Sequence, residues 1–267
     1  MNLYQKHHNQ QYMKKPDFFK RTVTISNTTY TKRVVIAFVL FAVLVTGGVY
    51  AWQWLNSQPK DDLTLKPLRK TLEANEKIFK GALDSNSRVK EYPISAAVKN
   101  VKVNGLVGIQ DTIDAAQWRL QIIRAAGDTL KVSLDDIKQL PKKEVIFDFK
   151  CIEGWNQVTH WAGVPVKTFL EHYHLQGFEQ MQYAGLQTPN KKYFVGIDMK
   201  SFLLPQTILC YEMNGKPLPM KQGFPLRLII PVKYGIKHLK CIGTMFFSNT
   251  KPRDYWAELG YDYYAGF

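Results

Sequence analysis

An uncharged apolar run, VVIAFVLFAVLVTGGVYAWQWL, occupies Val34 to Leu55. As a helix rising about 1.5 Å per residue it reaches roughly 33 Å, enough to cross the hydrocarbon of a bilayer. The run predicts one transmembrane helix, with Trp52 and Trp54 where aromatic residues meet the headgroups. It is longer than the apolar core of a signal peptide, and no small-x-small cleavage site precedes the tryptophans.

Downstream the pattern shortens. Residues 56–70 read as a polar tether, and LRKTLEANEKIF repeats its apolar positions at helical spacing. VKNVKVNGLVG predicts a strand and an Asn-Gly turn. WRLQIIRAAGDTLKVSLDDIKQLP predicts strand, Gly-Asp turn, strand and a short helix, with Ser133 as its N-cap and Pro141 past its end. EVIFDFK is a strand that delivers Cys151 at its end, and VKTFLEHYH, after Gly163 and Pro165, is a helix. MQYAGLQ, KYFVGID, PLRLIIPV and KCIGTMFFS are further strands, and ILCYEMNGKPLP is a hairpin. The fold class is α+β with mostly β content, one domain over residues 71–267 behind a single membrane helix.

Charge orients this layout. Net charge is +14, and residues 1–33 hold Lys6, Lys14, Lys15, Lys20, Arg21, Lys32 and Arg33 against Asp17. The positive-inside rule makes this a basic cytoplasmic arm, followed by the membrane helix over 34–55, the tether over 56–70 and a domain outside the cytoplasm. The expected setting is a bacterial inner membrane crossed once, with the domain in the periplasm. An anchor argues against nucleic acid as the reason for the basic excess. Cys151, Cys210 and Cys241 are too few and too scattered for a disulfide framework; Cys210 and Cys241 read as core residues, with a bridge between them left open.

The chemistry centres on KCIEGWNQVTHW, Lys150 to Trp161. As a nucleophile Cys151 needs a histidine, for which His160 is nearest in sequence; as a core thiol it is inert; as a soft thiolate it binds a transition metal. No CxxC or HxxxH nearby completes a protein-only metal site, so the last reading needs a metal already held by an organic cofactor. If the segment stays extended, Glu153 shares a face with Cys151 and stands ready to handle a proton. Trp155 and Trp161 are divided between pocket wall and core, and His172 and His174 diverge on their helix.

KCIEGWNQVTHWAGVPVKTFL, together with NGKPLPMKQGFPLRLIIPVKYGIKHLKCIGTMFF and the ending DYWAELGYDYYAGF, resembles the molybdopterin-binding oxidoreductase domain of the sulfite oxidase family, and within it the protein-methionine-sulfoxide reductase catalytic subunits. The resemblance implies a molybdenum-molybdopterin cofactor, with Cys151 as the protein's only ligand to the metal. Motif by motif it implies cofactor contacts from Asn75, Thr188, Gln222, Arg227, His238, Leu239 and Lys240, with KYGIKHLK and its Lys233 and Lys237 wrapping a phosphate. Cys151 and Glu153 are the implied catalytic pair. The implied activity is oxygen-atom transfer, first of all reduction of a small S-oxide or a protein methionine sulfoxide; sulfite-type oxidation and a cofactor-free binding or assembly module are the alternatives. No haem-attachment, flavin or NAD fingerprint occurs in the chain, so a membrane haem or quinone-linked subunit is the expected electron partner.

Overall fold

A computed structural model describes residues 25–109 and 112–267. The arm residues Lys6, Lys14, Lys15, Asp17, Lys20 and Arg21 lie outside the described residues. Two compact units divide the chain after Ser57.

The first unit contains α1 (Asn27–Ser57), 31 residues with none buried. Among the described residues it is the one helix long and apolar enough to cross a membrane.

The second unit, Gln58–Phe267, is built on two five-stranded sheets. It opens with a two-stranded turn, β1 (Lys60–Asp61) and β2 (Thr64–Leu65), and α2 (Lys66–Ala82). Then come β3 (Arg119–Ala125), β4 (Asp128–Ser133), α3 (Leu134–Lys138), β5 (Lys143–Lys150), β6 (Asn156–Pro165) and α4 (Val166–His172). β7 (Tyr183–Gln187), β8 (Phe194–Asp198), α5 (Met199–Phe202), β9 (Ile208–Met213), β10 (Lys216–Pro217), β11 (Arg227–Ile229), β12 (Thr244–Ser248) and α6 (Tyr255–Glu258) complete it. One sheet has the order β10-β9-β6-β5 with β11 also on β9; the other runs β4-β3-β12-β7-β8, antiparallel except where β12 lies parallel to β3.

The alternation in KEVIFDFK does what period-2 spacing requires: Val145, Phe147 and Phe149 face a core with Trp161, Ile208, Cys210 and Ile229, and the intervening residues face outward. Ser133 caps α3 in a capping box, its hydroxyl accepting from Asp136 N–H while the Asp136 carboxylate accepts from Ser133 N–H. α4 buries Val166, Phe169 and Leu170, spaced three and four apart. The three cysteines are free thiols.

Three sequence expectations are corrected. α2 turns Arg69 and Glu76 inward rather than its apolar face: Arg69 donates to Ala257 O and Tyr261 O, Glu76 pairs with Lys251, and Ile78 is 68% exposed. Residues 56–70 are not all tether, since Lys60–Leu65 form the small turn and α2 begins at Lys66. Residues 98–108 form no strand. Apart from Val98 N–H donating to Val158 O, side chains hold their backbone: Asn214 Nδ2 donates to Val98 O and Lys99 O, Gln222 Nε2 donates to Val101 O, and Lys102 N–H donates to Gln157 Oε1.

Candidate active site

β5 and β6 are a hairpin, in register from Lys143 opposite Gly163 to Lys150 opposite Asn156. The loop is closed by Cys151 N–H donating to Trp155 O (2.9 Å) and Gly154 N–H donating to Cys151 O (3.1 Å). Gly154 has φ +86°, left-handed, where a side chain would be strained. Cys151 is thereby fixed directly after Lys150, the last paired residue of β5, on a short turn rather than a free loop.

The turn revises the reasoning behind Glu153. The backbone is not extended from 151 to 153, so strand parity does not set its direction. The turn nevertheless leaves Glu153 on the wall of the cavity that Cys151 lines, at its exposed side, with Oε2 accepting from Trp155 Nε1–H (2.8 Å). Burial raises the Cys151 thiol above its ordinary value; the backbone amides of Glu153 and Ile152 pull it down, and the Glu153 charge raises it further. A thiol so disposed is a poor free nucleophile and needs a cation to stay deprotonated. Among the described residues no histidine supplies the alternative: His238 lines the cavity but uses both ring nitrogens. His160, opposite Ile146 on β6, lies with Glu144 (3.4 Å) beside a separate groove that contains Met213 and Lys216.

The cavity encloses about 670 Å³, its solvent-facing part included. Around Cys151 and Glu153 it is walled by Asn104 and Gly105, by Tyr193, by Ile236 and His238, and by Lys240 and Trp256. Tyr193 donates to Ile236 O (2.7 Å), and burial pushes its phenol far up. Thr188 stands behind it, its hydroxyl donating to Asn190 Oδ1 and accepting from Tyr193 N–H. A Cβ on Gly108 would fall 2.7 Å from Thr188 Cγ2, so glycine is needed there for close approach as well as for φ +77°.

Arg227 carries the clearest sign of a missing anion. It is fully buried on β11, its guanidinium 4.5 Å over the Trp161 ring. Nη1 donates to Gln222 O and Gln222 Oε1, but Nε and Nη2, which make one edge of the fork, have no partner. Among the described residues no carboxylate pairs with it, and burial pushes it down to about 10. A buried cation without a counter-ion costs several kcal/mol, and its free edge has the geometry for two parallel bonds to an oxyanion. A thiol that needs a cation and a guanidinium that needs an anion fit a metal and the phosphate of a pterin. Trp161 is the platform for Arg227, whereas Trp155 stacks on Phe149.

The remaining cations of KYGIKHLK are committed within the protein. Lys233 pairs with Asp198 (2.8 Å) under the Tyr264 ring, and Lys237 pairs with Asp254 and donates to Gly196 O. Lys240 donates to Asn104 O, Gly105 O and Lys221 O, using all three protons, while burial and Arg227 push it down to about 7. Leu239 is buried, and its carbonyl accepts from Leu228 N–H. The His238 ring accepts at Nδ1 from Ile230 N–H and bonds Lys233 O through Nε2, so both nitrogens are occupied. Asn75 is exposed on α2 and lines no part of the Cys151 cavity, whereas Asn104, read from sequence only as a turn residue, lies on its wall. Nothing in the sequence around Asn104-Gly105 marks it as more than a turn; its place on the wall is set by Lys240, 136 residues away.

These groups set the response to acid. Burial pushes His238 down to about 3 from an ordinary 6.5, so the unfolded chain takes up this proton from about pH 6.5 downward while the folded one does not. Burial alone would raise Asp198, but Lys233 and the Ser201 amide hold it below its usual range, with the same sign of effect. Stability is therefore expected to fall between pH 6.5 and 3, by up to about 1.4 kcal/mol per pH unit for each proton. Denaturant midpoints across that window are expected to show this slope, reduced in His238→Gln; a flat profile would remove buried His238 from the balance.

Residues 107–256, more than half of the chain, match the family described as the oxidoreductase molybdopterin binding domain. A relative from Azospira oryzae, named as a putative protein-methionine-sulfoxide reductase subunit YedZ1, is 33% identical over 186 residues, 68% of this chain and 70% of that protein. The protein-methionine-sulfoxide reductase catalytic subunits MsrP of Xanthomonas campestris and Campylobacter jejuni are 30% and 27% identical over 55% and 60% of this chain. The chain spans about half of the Xanthomonas protein (50%) and 59% of the Campylobacter one. Among solved structures, the sulfane dehydrogenase SoxCD of Paracoccus pantotrophus overlays with a TM-score of 0.47 at 15% identity, over 52% of this chain and 40% of that one. With a hairpin thiol and an uncompensated buried guanidinium inside the matched region, the chain belongs to the oxidoreductase molybdopterin-binding domain family.

Proposed function

We propose that this protein is a membrane-anchored molybdenum-cofactor enzyme that reduces sulfoxides in the periplasm with electrons from a membrane partner. The observation that carries the reading is Cys151, presented on a hairpin turn into a cavity whose wall includes Lys240, which feels the charges of both Cys151 and the buried Arg227; Arg227 itself lies behind that wall and does not line the cavity. Cys151 would ligate the metal and Arg227 would take the pterin phosphate. Gln222, which holds Arg227 through Oε1, would orient that contact, and the peptide groups of His238, Leu239 and Lys240 would line the approach. Asn104 rather than Asn75 would supply the amide beside Cys151, and Thr188 would act through Tyr193. The relatives named as methionine-sulfoxide reductases support the substrate class, and α1 supports the anchor.

The cofactor, when bound, supplies two-electron oxygen-atom transfer. The sulfoxide loses its S–O oxygen, taking up two electrons and two protons to leave a thioether and one water, the electrons coming from the partner or a dye donor. The protons must come through the protein. Glu153 reaches both the cavity and solvent, so its carboxyl can pick up a proton outside and deliver it inside. Trp155 holds that carboxyl by one oxygen and leaves the other free to do so.

The test is protein from a host that makes molybdopterin, assayed for molybdenum and for reduction of methionine sulfoxide, free and in protein, with reduced viologen dye. Near-stoichiometric metal with sulfoxide turnover is expected. Metal with sulfite oxidation alone would reverse the direction assigned, and metal-free protein would turn the reading to a binding module. Glu153→Gln keeps an acceptor for Trp155 Nε1–H but carries no proton; turnover is expected to drop about a hundredfold with molybdenum content unchanged. Unaltered kinetics would take Glu153 out of the reaction.

A further inference from the structure

The segment 98–108 and the Cys151 hairpin lie face to face, and the way they are joined carries a consequence for cofactor retention. Asn104, Gly105 and Val107 make one wall of the Cys151 cavity. Lys102 places its ammonium 4.7 Å over the Trp155 ring, at the base of the same turn. The segment belongs to no sheet: one backbone bond, Val98 N–H to Val158 O of β6, holds its start, and beyond it the ties are side chains from four separate places, Asn214 after β9, Gln222, Gln157 of β6 and Lys240. Asn190 adds a bond to Gly108 O, and Gly105 and Gly108 both have positive φ.

A ladder opens cooperatively, but side-chain ties of this kind release one at a time, each contributing about 1 kcal/mol. Lys240 is the cation among these ties, and it is buried. Its three protons go to carbonyls of both the segment and Lys221, so it joins the cavity wall to the turn that carries Gln222. Val103 and Leu106 stay exposed, and of the segment's apolar side chains Val101 packs on the core, so little apolar burial opposes lifting of residues 102–108.

We propose that residues 98–108 are a latched strap that opens to admit the cofactor and closes to retain it, with Lys240 as the positioning residue that latches Asn104 and Gly105 over the site. This rests on the cofactor reading above. The strap sets how long the cofactor stays, a property separate from what the loaded site does.

The test compares full-length protein in detergent, loaded and made in a host unable to build molybdopterin. Amide exchange of 98–108 is expected to be at least about tenfold faster in the cofactor-free form, with β6 and β9 alike in both. Asn214→Ala and Gln157→Ala remove ties remote from Cys151; Gln157→Ala, with one lost bond of about 1 kcal/mol, is expected to speed molybdenum loss from loaded protein roughly fivefold, and Asn214→Ala, with two, by at least as much. Lys240→Met is expected to exceed either. Equal exchange in the two forms, or unchanged loss in both remote variants, would overturn the strap while leaving the cofactor in place. Wild-type protein without molybdenum would overturn the cofactor reading and the strap together.

Discussion

Cys151→Ser is expected to give a folded protein that turns over at background, a fall of at least about a thousandfold. The bonds that close the hairpin use the backbone of residue 151, so serine inherits the turn, and Gly154 keeps its left-handed conformation. Serine is close to cysteine in size, so the change is expected to cost under about 1.5 kcal/mol of stability. What it removes is the soft thiolate. A hydroxyl is a hard donor that stays protonated, and no other cysteine among the described residues lines the cavity to replace it. Cys210 and Cys241 are pushed up to about 12 by burial, which makes them inert. Molybdenum content, the visible spectrum and the denaturation midpoint of the variant separate loss of the ligand from loss of the fold. Retained turnover with serine would show that the thiol is not a ligand.

Much of the framework behind that expectation is legible in the residues because it depends on local periods. KEVIFDFK alternates, VKTFLEH repeats at three and four, and Ser133 stands three residues before Asp136; each dictates its element without reference to the rest of the chain. The YDYYAGF ending packs back as expected, with Tyr264 buried and Tyr234 N–H donating to Ala265 O. What cannot be read depends on partners distant in sequence. The lysines of KYGIKHLK have the composition of a phosphate loop, but Asp198 lies 35 residues from Lys233 and Asp254 lies 17 residues from Lys237. Once Lys233 and Lys237 have their carboxylates and Lys240 its three carbonyls, Arg227 is left, among the described residues, as a buried cation with two donors unbonded.

Two misreadings share a cause in the backbone. VKVNG has strand alternation, but alternation does not say whether a neighbouring strand exists, and Gln157, Asn214 and Gln222 take the place of one. Strand parity is the wrong guide to Glu153, because Gly154 directly after it is a visible sign of a turn. The turn delivers Glu153 to the cavity by a different route from the one expected, and the same turn sends the following strand off with His160 beside a groove that Cys151 does not line. Among the described residues, then, no histidine with a free ring nitrogen faces Cys151, since His238 on the cavity wall is bonded at both nitrogens, and this favours the ligand reading by a cause that strand periodicity does not contain.

Arg227→Met is expected to act in different ways on the two forms of the protein. In the cofactor-free form the guanidinium is buried without a counter-charge, and methionine fills similar volume with no charge to bury. Against that relief stand two lost bonds to Gln222 and the contact with Trp161. Relief of several kcal/mol and losses of about 3 to 5 kcal/mol nearly cancel, so stability without cofactor is expected to move by no more than about 2 kcal/mol. In the loaded form the variant loses two charge-assisted bonds to the phosphate, each contributing about 1.5 to 3 kcal/mol, so the cofactor is expected to be held at least about a hundredfold more weakly. Thermal melts of loaded and cofactor-free protein, with molybdenum measured alongside, read both effects. The rise in midpoint on loading is expected to collapse in the variant while the cofactor-free midpoint stays close to wild type. A variant that holds the cofactor normally but loses about 4 kcal/mol or more when cofactor-free would make Arg227 a structural cation, leaving Lys221 and the peptide groups of residues 238–240 to meet the phosphate.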